Sequence, residues 1–191
     1  MSKHLGKLIV VHGCMFSGKS SELIRLAERS RWARKKVLTF NHTTDIRYGQ
    51  KLIASHNGEK LDAILIHSPR EIKDYLDKSV DVVVIDEGQF FDDSLIDVVQ
   101  ELNEQGITVI VGGLDTDFRA EPFHPMPTLI VMADEDIALT AICVECGENA
   151  NRTQRLVNGL PAKYTDPIIL VGADELYEAR CRACHEVPGK P

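Results

Sequence analysis

The chain has 191 residues, enough for one domain with a small appendage and too few for two full domains. Its 43% hydrophobic and 27% charged residues suit a buried core, which excludes a collagen-like or wholly disordered chain. The net charge of −7 argues against a protein that grips nucleic acid through phosphates, and no apolar run is long enough to span a bilayer.

Lys7–His12 (KLIVVH) reads as a buried strand, and a glycine-containing loop separates it from an amphipathic helix over Lys19–Lys35. Val37–Phe40 and Ala63–His67 read as further strands. Thr43–Gly58 between them has little apolar periodicity and is expected to be a long mobile loop. Pro69 opens a short helix through Leu76. Val80–Ile85 is a β-branched strand, Ser94–Gln105 an amphipathic helix closed by Gly106, and Ile107–Val111 another strand. Ile137–Ile142 is expected to be the last strand of the sheet. The repeated strand–helix order with near-continuous Val/Ile/Leu strands predicts an α/β fold with a parallel sheet covered on both faces. The division expected is an α/β domain over 1–142 and a small lobe of different character over 143–191.

Gly13-Cys14-Met15-Phe16-Ser17-Gly18-Lys19-Ser20 fits the phosphate-loop pattern G-x-x-x-x-G-K-[ST] in its required context, strand before and helix after. Glycines let backbone amides converge on phosphates, Lys19 adds a point charge, and the Ser20 hydroxyl can ligate Mg²⁺. Val80–Glu87 ends in two acids. Asp86 sits where such folds support the magnesium ion, and Glu87 can orient and deprotonate a nucleophile, either water or a substrate hydroxyl.

Of the five cysteines, Cys143, Cys146, Cys181 and Cys184 form two Cys-x-x-Cys pairs. Four thiolates suit a closed tetrahedral, structural Zn²⁺ site, with His185 in place of Cys184 as the alternative fourth ligand. The first residues lack a secretory apolar segment, so the expected compartment is the cytoplasm. Cys14 reads as a plain loop residue and His12 as a core or surface histidine. The basic residues from Arg25 to Lys36 read as a solvated face complementing the helix dipole.

The stretches GCMFSGKSSELIR (13–25), DIRYG (45–49), IDEGQFF (85–91), GLDTDFRAEPF (113–123) and DPIILVGADELYEARCRACH (166–185), in this order, resemble the zinc-containing cellular and bacterial class of thymidine kinases. The resemblance implies a RecA-like P-loop sheet with helices on both faces and a zinc-bound, β-rich lobe carrying a lasso loop. It implies transfer of the ATP γ-phosphate to the 5′-hydroxyl of thymidine or deoxyuridine, with Glu87 as general base. Lys19 and Ser20 would hold ATP phosphates and Mg²⁺, Asp86 would assist the ion, and Arg47 would approach the phosphates. The implied nucleoside pocket takes Met15, Phe90, Leu114, Phe118, Phe123 and Tyr177. The lasso, Gly147–Pro167, brings Thr153 near the base methyl, and Ile169, Val171 and Gly172 supply backbone contacts. A homotetramer and feedback inhibition by dTTP are implied as well; nucleic-acid and membrane partners are not. Cys14 stands where many members carry Pro or Ser.

Overall fold

The computed structural model describes residues 5–44, 52–54, 60–169 and 175–191. Arg47, Val171 and Gly172 lie outside these. The chain begins with β1 (Leu8–His12), α1 (Lys19–Trp32), β2 (Lys36–His42), β3 (Leu52–Ala54), β4 (Lys60–Asp62) and β5 (Ile64–Ile66). A 3-10 turn (Pro69–Tyr75), β6 (Val80–Ile85), a second 3-10 turn (Gly88–Phe90), α2 (Ser94–Glu104), β7 (Thr108–Gly113), α3 (Met126–Met132) and β8 (Glu135–Ala138) come next. The last strands are β9 (Ala141–Ile142), β10 (Asn149–Ala150), β11 (Arg152–Val157), β12 (Leu160–Pro161) and β13 (Glu175–Arg180).

Among the described residues, six strands form one parallel sheet in the order β5-β2-β6-β7-β1-β8. Alternation along the strands sends side chains to two cores. Val11, Val82, Val84 and Ile110 face Leu23, Ile24, Leu26 and Ala27 of α1. Val10, Val83, Ile85, Val109 and Val111 face Leu95, Val98, Val99 and Leu102 of α2, with Met126 and Leu129 of α3. The expected two-sided α/β sheet is therefore present.

The register places the ends of three strands at one edge. His12 pairs with Gly113, and Ile85 with Val111. The phosphate loop, the acid pair and the 114–123 loop all leave from that carboxyl edge, where open α/β sheets bind ligands.

Two local expectations are corrected. The 43–58 stretch is not all loop: β3 pairs antiparallel with β4, and Ile53 lies opposite Leu61 with both buried against α1. A strand of only three residues is too short to show a periodicity that reads as a strand. The expected strand over 137–142 splits: β8 ends at Ala138, while Ala141–Ile142 pairs antiparallel with β10. The short helix expected after Pro69 is present, as a 3-10 helix over Pro69–Tyr75 capped by Ser68, with Glu71 reaching back to the cap amide. Beyond β8 the strands are antiparallel: β9 with β10, and β11 between β12 and β13. Much of the expected lasso, 147–167, is thus strand. Among the described residues no helix is long and apolar enough to cross a membrane.

Candidate active site

The phosphate loop turns sharply out of β1. Gly13 has φ 144°, and a Cβ there would fall 2.2 Å from the Leu139 carbonyl oxygen. Gly18 is left-handed (φ 88°) and opens α1 without a side-chain cap, leaving the first helical amides to face a ligand. Within the loop, Ser17 Oγ donates to the Cys14 carbonyl at 2.8 Å, and Lys19 Nζ donates to the same oxygen at 2.7 Å. Desolvation pushes the Lys19 ammonium below the usual lysine range, while Glu87 and Asp86 pull it back up. Lys19 therefore sits in the field of both acids.

Asp86 is 5% exposed. Its Oδ2 accepts from Ser20 Oγ at 3.3 Å, its Oδ1 accepts from the Glu87 amide at 2.8 Å, and its own amide donates to the Phe40 carbonyl. The two groups expected at a magnesium ion are thus side by side, and an oxygen pair of this kind fits a hard cation.

Glu87 is left-handed (φ 54°, ψ 41°), uncommon for a residue with a Cβ and a feature that gathers at functional sites. The strand ends at Ile85, so this turn, rather than strand pleating, separates the two acids. Gln89 fixes the result: its Nε2 donates to Glu87 Oε2, and its Oε1 accepts from the Leu114 amide at 2.9 Å. Gln89 is 2% exposed, and sequence reasoning misses it. The signal available is a polar residue two positions past the acid pair, between a glycine and two phenylalanines.

His12, the last residue of β1, lies between two carboxylates, with Nδ1 2.8 Å from Asp115 and Nε2 2.9 Å from Asp136. The hydrogen bond to Asp115 outweighs burial and raises its pKa above the ordinary histidine value. A raised pKa stabilises the fold fully below about pH 6.5, and the gain disappears as pH rises through the folded-state value. Denaturant titrations of wild type and His12→Asn should differ most near about pH 6 and converge toward about pH 9. A gap that does not change with pH would contradict this pairing.

The residues expected at a nucleoside pocket divide into contacts. Phe90 meets Phe123 edge-on at 6.4 Å, and His42 lies 6.0 Å from Phe90. Thr153 Oγ1 accepts from the Met15 amide at 3.0 Å, joining β11 to the phosphate loop. Leu114 is held through its amide by Gln89. Phe118 is buried, with the Arg155 guanidinium 4.0 Å from its ring centre. Tyr177 lies opposite Arg155 across the β11–β13 pair. With Phe16, Ile142 and Val144 it also borders a shallow apolar hollow beside the phosphate loop. Ile169 is exposed. Cys14 is buried, donates to the Ala150 carbonyl at 3.3 Å, and is pushed up in pKa by burial, so it is a packed thiol rather than a nucleophile.

The sulfurs of Cys143, Cys146, Cys181 and Cys184 all lie within 4.8 Å of one another. A tetrahedral zinc with Zn–S bonds of about 2.3 Å needs sulfurs about 3.8 Å apart, so the cluster fits the ion. Burial raises the Cys143 thiol, but amides of Cys181, Cys146 and Glu145 directed at its sulfur bring it down to about 6. His185 is not part of the cluster: its Nε2 meets the Phe118 carbonyl at 2.9 Å. It ties the second cysteine pair to the Phe118 loop.

A family model described as thymidine kinase matches residues 6–185. Among solved structures, the flagellar accessory protein FlaH from Methanocaldococcus jannaschii is similar at 17% identity, over 77% of this chain and 76% of that chain, with a TM-score of 0.48.

Proposed function

Since the chain belongs to the thymidine kinase family, a family of phosphotransferases, we propose that it transfers the γ-phosphate of ATP to the 5′-hydroxyl of thymidine, and of deoxyuridine, giving the monophosphate for nucleotide salvage. The observation that carries this reading is the carboxyl edge of the sheet. There Lys19, Ser20 and Asp86 stand beside Glu87, whose carboxylate Gln89 holds in place.

Phosphoryl transfer requires positioning and charge neutralisation more than covalent chemistry. In the proposal, backbone amides of 13–20 and Lys19 hold the phosphates, and Arg47 approaches them. Ser20 and Asp86 would hold Mg²⁺, which would supply positive charge against the phosphates. Glu87 takes the proton of the 5′-hydroxyl. Phe90, Phe118, Phe123, Leu114, Met15 and Tyr177 enclose the base, with Thr153 near its methyl and Ile169, Val171 and Gly172 at its polar edge; a flat heterocycle is suited to such apolar faces. Cys143, Cys146, Cys181 and Cys184 hold a structural zinc. Residues 1–142 then form the ATP-binding unit and 143–191 the zinc-bound unit. Family membership also supports a cytoplasmic homotetramer inhibited by dTTP.

The reading is tested with 5′-deoxythymidine, which keeps the base and lacks the acceptor oxygen. Thymidine should be phosphorylated, and 5′-deoxythymidine should inhibit competitively while yielding no product. Phosphorylation of the 5′-deoxy compound would overturn the 5′ assignment.

A further inference from the structure

We infer that Arg155 is the positioning residue of the nucleoside side of the site: it locks the 166–168 segment and the Phe118 ring into one arrangement, and so governs nucleoside affinity without touching the phosphates. The inference rests on the nucleoside reading above.

Arg155 is 0% exposed, the largest fully buried side chain among the described residues. A guanidinium is costly to bury unless its fork is matched by acceptors, so a chain that merely needed volume at this place in β11 would be served by an apolar residue. The acceptors are consecutive. Nη1 donates to the Pro167 carbonyl at 2.6 Å and approaches the Ile168 carbonyl at 3.4 Å, and Nη2 lies 3.9 Å from the Asp166 carboxylate. The same guanidinium sits 4.0 Å from the Phe118 ring centre, a desolvated cation–π contact.

A second guanidinium completes the clamp. Arg119, next to Phe118, donates from Nη2 to the Asp166 carbonyl at 2.7 Å and lies 5.4 Å from the Phe118 ring centre and 5.0 Å from that of Tyr164. Three successive carbonyls, 166 to 168, are thus gripped by two arginines that also border one phenyl ring. They immediately precede Ile169, the first of the residues assigned to the base edge. β11 is itself anchored beside Arg155. Thr153 meets the phosphate loop, and Gln154 exchanges two hydrogen bonds with the backbone of Glu186. Arg155 therefore transmits a fixed frame to the 166–168 segment. A lysine would keep the charge but lacks the flat guanidinium that lies over the Phe118 ring while its Nη1 donates to the 167 and 168 carbonyls.

The test uses full-length, zinc-loaded Arg155→Lys and Arg155→Met, with thymidine and ATP varied separately. Both variants should raise the thymidine KM about tenfold or more, with the ATP KM within about twofold of wild type. Combining Arg155→Met with Phe118→Leu should raise it by less than the product of the two single effects, since both act on one contact. An unchanged thymidine KM in folded Arg155→Lys, or ATP and thymidine KM rising together, would overturn the proposal. If both Arg155 variants fail to fold, Arg119→Gln removes the neighbouring half of the clamp. The same selective rise supports the proposal, and no rise overturns it. Failure of the nucleoside reading is distinguishable, because it is seen in unsubstituted protein that neither binds nor phosphorylates thymidine.

Discussion

Glu87→Gln should lower kcat by about two to four orders of magnitude, the usual contribution of a positioned general base, while ATP affinity stays close to wild type. Glutamine has the same shape and can still meet Gln89, so the turn at 86–90 is kept. What is lost is the carboxylate that accepts the hydroxyl proton. Asp86 cannot replace it, because its two oxygens are engaged by Ser20 and by the Glu87 amide. In the phosphate loop, Lys19 loses one of the charges that raise its pKa and keeps its bond to the Cys14 carbonyl. Rapid-quench measurement of product, with ATP titrated separately, checks both halves. Full turnover in the variant would refute the base assignment. A parallel loss of ATP binding would mean that Glu87 serves the phosphates instead.

Zinc removal should produce the second large effect, a loss of thymidine affinity of about tenfold or more with a smaller change in ATP affinity. The reason lies in the residues just beyond the second cysteine pair. His185 meets the Phe118 carbonyl at 2.9 Å, Glu186 is paired with Gln154, the Tyr164 amide donates to the Pro188 carbonyl, and Lys190 donates to the Arg119 carbonyl. Residues 185–190 thus clasp the loop that carries Phe118 and Arg119. Without the ion, four thiols close together lose the bond network that fixes the knuckle, and the clasp loses its anchor. Chelator-treated protein that retains its far-UV circular dichroism is titrated with thymidine and with ATP. Unchanged thymidine affinity in zinc-free, folded protein would refute the coupling.

The parts of the fold that can be read from sequence are those in which a local pattern carries its own cause. The phosphate loop announces itself because glycines, Lys19 and Ser20 must hold fixed spacings. β6 and β7 are visible because strands buried on both faces read as unbroken apolar runs. The four cysteines are visible because two Cys-x-x-Cys pairs have the spacing that suits metal ligands, and their sulfurs do cluster.

The parts that are not legible depend on contacts across the chain. Ile53 and Leu61 make a hairpin that only α1 justifies. α3 (MPTLIVM) is a seven-residue helix containing Pro127, too short to show a period. The expected strand at 137–142 divides because Ala141 pairs with Ala150, which lies further along the chain and outside the main sheet. At the site, Asp86 and Glu87 stand out in the sequence, but the turn that parts them and the clamp from Gln89 do not. Gln89 acquires its role only when β7 delivers the Leu114 amide to it. Arg155 looks like a surface residue of a polar strand until Phe118 and the 166–168 carbonyls close over it. His12 likewise becomes notable only between Asp115 and Asp136, on two other segments.

The most direct test of the central claim, that this site phosphorylates a pyrimidine deoxynucleoside, is ADP release by the purified protein with Mg²⁺–ATP. It is run with no acceptor, thymidine, cytidine or single-stranded DNA. The account predicts release that depends on thymidine, with stoichiometric thymidine 5′-monophosphate. Release that ignores thymidine and rises with single-stranded DNA would contradict it, leaving the phosphate loop as an ATPase coupled to another substrate.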